Sequence, residues 1–402
     1  MMRHLSPTII RLFVFVTVLL SGYTASAQYS ISGTVLNDAT GKPLGGASVY
    51  INGSTIGTVT SDSGTYTLRN INTGFYEVVV SYVGYQTLVY KAAIQNIDLK
   101  ITFKLQRKVE EMRNAVVLSD AVREKWMKIF LDNFLGITEP AKRCKLVNDE
   151  EVLFETDDEN PKAIKAYSAV PLIIENKQFG YRIHFQLESF FFDPAEGRTF
   201  FYGYSRFEEL KDKEKVPGRY LRERTAYYKG STLHFYHSLI AHTSAAEGFS
   251  MQLIKQVDMS GKKKMVLAVP GSPRKVQAQP SNEVNVAVPI IADSIFQKDT
   301  AVGSSLFTLS FESKLRVKYA KNPAGKKFLM MHAMVEGAMY DGAISYIEML
   351  ERPVYMDAQG SLYNPMGLQF SGYWGFEKVG NMLPVDFKLV QEVYRFHFVP
   401  EG

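Results

Sequence analysis

The sequence predicts a mainly β protein: an N-terminal seven-stranded Greek-key β-sandwich over residues 28–106, a connecting strand and amphipathic helix over 107–139, and a larger antiparallel β-rich domain over 140–402. Three observations carry this. Short apolar runs alternate with polar residues, turn residues fall every 8–12 positions between them, and the aromatic fraction is 13%, mostly Tyr and Phe, which pack well on pleated surfaces. Length, with 46% hydrophobic and 22% charged residues in 402, is that of a folded chain with more than one domain.

Residues 1–27 read as a secretory leader. Arg3 and Arg11 flank the apolar run Leu12–Leu20, broken only by Thr17, and Ala25-Ser26-Ala27 places small residues at a cleavage site before Gln28. The apolar run is short for a bilayer of ~30 Å, and no Cys follows it to carry a lipid. No later segment is long and apolar enough for a membrane helix after signal removal. The chain is therefore expected to be exported, as a periplasmic or an outer-membrane or cell-surface protein. Cys144, the single cysteine, has no internal partner, so the fold must rest on its core. The formal charge is +5, and two of those positive residues lie in the leader; so weak a balance argues against nucleic acid. Lys262-Lys263-Lys264 and Gly325-Lys326-Lys327 are read as solvated turns.

The first domain follows element by element. Tyr29, Ile31, Gly33 and Val35 alternate; Asn37 to Lys42 turn; Ala47–Ile51 is a strand that stops at Asn52-Gly53, a hairpin dipeptide tolerant of positive φ. Thr58–Thr60 leads through Asp62-Ser63-Gly64 to Tyr66 and Leu68. Phe75–Val83, Tyr85–Tyr90 and Ile97–Leu105 complete seven strands. Asp62-Ser63-Gly64 is read as a plain turn rather than a calcium loop, which needs six or more oxygens.

The ordered residues Ile31-x-Gly33-x-Val35, Gly41-x-Pro43-Leu44-x-Gly46-Ala47-x-Val49, Gly57-x-x-Thr60-x-Asp62-x-Gly64-x-Tyr66-x-Leu68, Gly74-x-Tyr76 and Ser81-x-Val83-Gly84-Tyr85 resemble the carboxypeptidase regulatory-like domain. This is a transthyretin-like sandwich, in the version found at the N-terminus of exported Bacteroidetes proteins such as TonB-dependent outer-membrane receptors. The resemblance implies a binding or spacer module and not catalysis. None of the seven histidines has a Glu three residues later, as the metal pair of a zinc carboxypeptidase would.

Val109–Leu118 ends in a short apolar run expected to be a strand. Asp120 to Leu135 reads as a helix with Val122, Trp126, Ile129, Phe130 and Phe134 on one face, stopped by Gly136 and packed on the second domain. Beyond it, Tyr181-Ile183-Phe185-Leu187, Leu309-Phe311, Leu315-Val317-Tyr319 and Val393–Phe398 alternate as strands, with Asn322–Gly325 as a turn. A helix follows Gly230, with Ser231 as N-cap, Leu233, Tyr236, Leu239 and Ile240 on one side, and Gly248 beyond it. Phe134-Leu135-Gly136-x-Thr138, Asn176-x-x-Phe179-Gly180-Tyr181, Tyr228-x-Gly230-Ser231-x-x-His234-Phe235 and Gly375 through Leu383-Pro384-Val385-Asp386-Phe387 resemble the C-terminal region that accompanies this sandwich in many Bacteroidetes proteins of unknown function. His237 departs from that pattern.

His234, His237, His242 and Glu247 are the weak metal-ligand candidates, since two histidines three apart share a helix face and zinc favours imidazole. On a helix, however, His242 is rotated by about 80° from His234, and packing histidines are the simpler reading. There is no Gly-x-Ser-x-Gly elbow and no phosphate-binding Gly-rich loop with Lys-Ser or Lys-Thr. Asp157-Asp158-Glu159 is read as a solvated run. No catalytic residue and no cofactor is assigned. The expectation is a non-enzymatic envelope protein that binds or spaces a partner, protein or glycan. Two alternatives are a small outer-membrane barrel or membrane-associated component related to TonB-dependent systems, and a metal-dependent hydrolase using the His234 cluster.

Overall fold

The computed structural model describes residues 28–108, 118–156, 160, 162–212, 215–258, 283–299, 306–321, 328 and 343–389. The leader, most of the 109–118 connector, Asp157–Glu159, both lysine turns, the 322–325 turn and the 393–398 strand lie outside them.

Seven strands form the N-terminal sandwich: β1 (Tyr29–Asn37), β2 (Ser48–Ile51), β3 (Gly57–Val59), β4 (Thr65–Ile71), β5 (Gly74–Ser81), β6 (Leu88–Ile94) and β7 (Leu99–Leu105). They divide into a three-stranded sheet, β4-β1-β7, and a four-stranded sheet, β3-β2-β5-β6. The chain switches sheets after β1, β3, β4 and β6, and β7 returns to lie parallel to β1, with Ile31 opposite Leu99 and Asn37 opposite Leu105. Alternation puts Ile31, Val35, Val49, Leu68, Val78, Val80 and Phe103 in one core between the sheets. Each such fully buried aliphatic or aromatic side chain is worth roughly 1.5–3 kcal/mol. Gly64, at φ +72°, closes the Asp62-Ser63-Gly64 turn by donating its N–H to the Ser61 carbonyl.

Helix α1 (Asp120–Phe134) follows. Its Phe130 and Phe134 are fully buried and stack 4.9 Å apart, with Phe190, Phe154 and Phe185 edge-on around them. They sit on a six-stranded sheet built from β8 (Cys144–Leu146), β9 (Leu153–Thr156), β10 (Ile164–Tyr167), β11 (Leu172–Asn176), β12 (Tyr181–Asp193) and β13 (Arg198–Glu209). The 13-residue β12 is its spine. It pairs β11 and then β10 along one side and β13 along the whole of the other. As the alternation predicts, Tyr181, Ile183, Phe185 and Leu187 are buried together.

Helices α2 (Gly218–Tyr228) and α3 (Thr232–Ile240) bridge to a second core. A five-stranded sheet, in order β15-β14-β18-β19-β21, comprises β14 (Phe249–Asp258), β15 (Glu283–Ile290), β18 (Lys314–Tyr319), β19 (Ala343–Met349) and β21 (Leu368–Gly372). A small three-stranded sheet joins β16 (Phe296–Lys298), β17 (Phe307–Leu309) and β20 (Val354–Met356). Leu309, Phe311, Leu315, Val317 and Tyr319 all face this core. The chain then returns to the first core, where Val379, Leu383 and Phe387 pack.

Three expectations need correction. Among the described residues, the strands beyond residue 140 do not close into a barrel. Among these residues they form three separate open sheets around two aromatic cores, because their apolar faces turn inward onto helices and not outward to lipid. The helix after Gly230 is not one-sided: His234, Phe235 and Ser238 are buried as well as Leu233, Tyr236 and Leu239. It also ends at Ile240. Its Ser231 cap does accept the His234 N–H as expected, but His242 has φ +55° and lies past the end. Helix α2 is an addition that the periodicity did not reveal.

Candidate functional site

The four metal-ligand candidates fall into separate local arrangements. His234 Nε2 lies 3.4 Å from a Glu247 oxygen, and its Nδ1 accepts the Gly230 N–H at 3.0 Å. The ring is walled by Tyr228, Phe249 and Tyr319. Burial lowers the His234 pKa, with Glu247 opposing. His237 points elsewhere. Its Nε2 is 2.9 Å from the Gln359 carbonyl, which only accepts, so Nε2 carries the hydrogen. Burial keeps this imidazole neutral by lowering its pKa, so Nδ1 accepts and the Tyr228 hydroxyl, 2.8 Å away, donates. His242 is exposed and pairs with Asp293 at 3.1 Å. Among the described residues no three His, Cys, Asp or Glu side chains are grouped as metal ligands would be.

What the fold does bring together is the joint between the sandwich and the β-rich region. The Asn52-Gly53 turn ends β2 and reaches into the other domain. Gly53 donates its N–H to the Ser205 carbonyl at 2.7 Å, Phe207 donates to Ser54 at 2.9 Å, and Val385 donates to Gly53 at 2.8 Å. The Asn52 amide oxygen accepts the Ser205 N–H at 3.0 Å. Asp386 accepts the Thr55 N–H at 3.0 Å and its hydroxyl as well. Gly53 takes φ +70° here, and a Cβ would meet Val385 at 3.4 Å. The turn thus needs a residue free to adopt left-handed backbone.

A second contact runs from Tyr76. Gln359 donates its side-chain amide to the Tyr76 hydroxyl, which in turn donates to the Asn72 carbonyl at 3.0 Å. Through Gln359 this links the sandwich to His237 and Tyr228. Beside it Asp357 is fully buried. Its Oδ1 accepts the N–H groups of Gln359 at 2.8 Å and Ser361 at 2.9 Å, while Oδ2 has no partner among the described residues. Burial pushes its pKa up to about 6 against the pull of those N–H groups.

The Asn176–Tyr181 phrase is structural. The Asn176 side chain accepts the N–H groups of Gln178 and Phe179 and donates to the Gly380 carbonyl. Gly180 has φ +69°, and a Cβ would strike the Tyr220 ring at 2.1 Å. Arg224 of α2, 1% exposed, closes the turn by donating to the Phe179 and Gly180 carbonyls and to both Glu209 oxygens, with its guanidinium 3.7 Å from the Tyr181 ring centroid.

Two hollows remain. One, of about 460 Å³, is an open depression beside Leu210–Asp212, Pro217 and Tyr220. The other, of about 120 Å³, lies in the joint. From the sandwich come Ser48, Ser81, Tyr82, Tyr85 and Lys108; from the β-rich region come Gln186 and the turn at Ala169 and Pro171.

Residues 31–117 match the family model described as the CarboxypepD_reg-like domain. The sandwich is a CarboxypepD_reg-like domain. Comparison with curated proteins finds no match. Solved structures similar to part of the chain include 3-chlorocatechol 1,2-dioxygenase from Rhodococcus opacus 1CP, at 11% identity over 21% of this chain and 62% of that one, TM-score 0.19. BcpA, the major pilin subunit of Bacillus cereus, is similar at 18% identity over 20% and 31%, TM-score 0.18. A type II cohesin–X-dockerin complex from Acetivibrio cellulolyticus is similar at 17% identity over 22% and 66%, TM-score 0.18. The chain thus spans about three-fifths of the dioxygenase, and overlaps this slight carry no weight for function. The CarboxypepD_reg-like domain is a non-catalytic family.

Proposed function

We propose that this protein is a non-enzymatic exported envelope protein whose CarboxypepD_reg-like domain serves as a binding or spacer module, held at a fixed angle on the β-rich region. The observation that carries the proposal is the joint. Backbone hydrogen bonds donated by Gly53, Phe207 and Val385 tie the sandwich's hairpin to the other domain, a connection suited to holding a surface still. A tethered, freely swinging module would not need it. The leader read at residues 1–27 supports export, and the dispersed histidines give hydrolysis no support.

Expression of the full chain with fractionation and crosslinking pull-down from envelopes tests this reading. Recovery in the envelope with reproducible crosslinked partners is expected. Retention of the full-length chain in the cytoplasm, or peptidase or esterase turnover that appears with zinc and vanishes on chelation, would overturn it.

A further inference from the structure

The Asn52-Gly53 turn at the joint is a reactive dipeptide as well as a hairpin. It is the one place in the sequence where asparagine precedes glycine. A backbone nitrogen can attack the side-chain amide of the asparagine before it, and glycine, with no Cβ, hinders that attack least. Both residues are half-buried rather than sealed from water. What decides whether the pair reacts is how its atoms are held.

Both reacting groups are tied to a single residue of the other domain. Gly53 donates its N–H to the Ser205 carbonyl at 2.7 Å, and the Ser205 N–H donates to Asn52 Oδ1 at 3.0 Å. Ser205 is 3% exposed and fixed in register on β13 opposite Phe185. For the Gly53 nitrogen to swing onto Asn52 Cγ and give up its hydrogen, the first bond must break and the second must let the amide turn. Val385 donates to the Gly53 carbonyl at 2.8 Å and so holds the far side of the turn, where Gly53 keeps φ +70°. On the sandwich's own side, Asn52 Nδ2 donates to Glu77 Oε2 at 3.0 Å. That bond survives when the domains part, and the bonds to Ser205 and Val385 do not.

We propose that Asn52-Gly53 is a self-modification site gated by the joint: protected while the sandwich is docked, it deamidates when the joint opens, and the product no longer lets the joint close as before. In the step itself the Gly53 nitrogen forms a bond to Asn52 Cγ, the Cγ–Nδ2 bond breaks, and Nδ2 leaves as ammonia with the hydrogen from Gly53. Water then opens the cyclic imide. Opening at the side-chain carbonyl gives aspartate, and opening at the main-chain carbonyl gives isoaspartate, whose main chain is longer by a methylene. The reaction needs water and no other reagent. Either product damages the seam. The donor to Glu77 is lost, and a second negative charge arises beside a carboxyl whose pKa burial already raises, against the pull of Asn52 and Lys91. In isoaspartate the added methylene also displaces Gly53 from Ser205. The inference goes beyond the binding-module reading and stands whichever partner the module meets.

Mass spectrometry of the Asn52 peptide from the full chain aged in mildly alkaline buffer, alongside hydrogen exchange at the Gly53 amide, tests it. Deamidation is expected to be slower in the native chain than in the same chain in guanidinium chloride by about tenfold or more, since the open fraction alone reacts. Asp386→Ala, which weakens the joint away from the reacting atoms, should speed deamidation and Gly53 exchange by the same factor, about 5–30-fold. If that variant does not fold, a guanidinium series below the unfolding transition replaces it, and the two rates should again rise together. Asn52→Asp should reduce protection of the Phe207 and Val385 amides, and adding Glu77→Gln should restore part of it. Three results would each overturn the proposal: native deamidation as fast as in the unfolded chain, deamidation that does not follow Gly53 exchange, or joint amides as well protected in Asn52→Asp as in the natural protein.

Discussion

Asp386→Ala is the sharpest probe of the joint. The Asp386 carboxylate accepts both the N–H and the hydroxyl of Thr55, from a position 331 residues further along the chain. Hydrogen bonds to a charged acceptor contribute ~1.5–3 kcal/mol each where they are shielded from water. Thr55 is exposed and Asp386 half-buried, so solvent screening brings the pair down to about 1–2 kcal/mol in total. The substitution leaves the three backbone bonds of the hairpin in place and weakens what holds them closed. At roughly 2–4 °C per kcal/mol for units of this size, the thermal midpoint should fall by about 2–8 °C. Hydrogen exchange is the decisive assay. The amides of Gly53, Phe207 and Val385, which bridge the domains, should lose protection in the variant while amides of β5 and β12 keep theirs. Asp386→Asn, which retains an acceptor but no charge, should fall between. If those three amides exchange as freely in the natural protein as in an open loop, or if Asp386→Ala leaves them unchanged, the joint is not a latch and the rigid two-domain reading fails.

Other outcomes follow from buried chemistry. Arg224→Met removes the cation paired with Glu209 beside the Asn176–Tyr181 turn. Breaking one side of a buried pair costs ~3–5 kcal/mol; with the Glu209 side chain 27% exposed, about 2–3 kcal/mol is expected in urea unfolding, and adding Glu209→Met should recover part of it. Asp357 has its folded pKa pushed up to about 6, above the value near 3.9 of an unfolded chain. Between those two values the folded state holds a proton that the unfolded chain has released. The stability this group contributes is therefore greatest below about pH 4 and is lost as pH rises through 6. Asp357→Asn keeps the Oδ1 acceptor, and should raise the midpoint at pH 7.5 and flatten the pH dependence between 4 and 7. Cys144, whose thiol burial pushes up to about 12, should react with Ellman's reagent at pH 8 far more slowly in the native protein than in urea.

The sandwich was legible because everything that makes it is local. Most of its strands alternate within themselves, and each turn carries its own Gly, Asn or Asp, so seven strands read in the right order without knowledge of partners; the bounds slip at β5, which ends at Ser81 and not Val83, and at β6, which runs Leu88–Ile94 and not Tyr85–Tyr90. The same holds for α1, whose phenylalanines recur at helical spacing. Helix α2 was missed for an equally physical reason. Its buried side chains are Tyr220, Arg224 and Tyr228, four apart, and the middle one is an arginine neutralised by Glu209 and two carbonyls that only the fold supplies. Counting that arginine as apolar would have exposed the stripe. His242 was placed on the histidine helix because nothing local marks the stop at Ile240. The chain leaves the helix through a left-handed residue that is not glycine. The joint itself was half visible. Asn52-Gly53 announces a hairpin, but not that it will be taken up by Ser205 and Val385.

The C-terminal phrases singled out in the sequence have a common physical meaning. Asn176–Tyr181 forms a turn that donates to the Gly380 carbonyl. Thr138 meets Asn381 through its hydroxyl, and Gly380 donates its N–H to Leu135. Pro384–Phe387 carries the Val385 and Asp386 bonds to the sandwich, while Phe387 rests on Tyr228. These segments are scattered over some 250 positions, yet they converge on the return of the chain through residues 379–387, and that return holds the sandwich in place. A site for catalysis would gather reactive side chains around a hollow. Here these residues gather around the seam between the sandwich and the β-rich region. These hydrogen bonds fix position, and the surface so positioned is where a partner has to be sought.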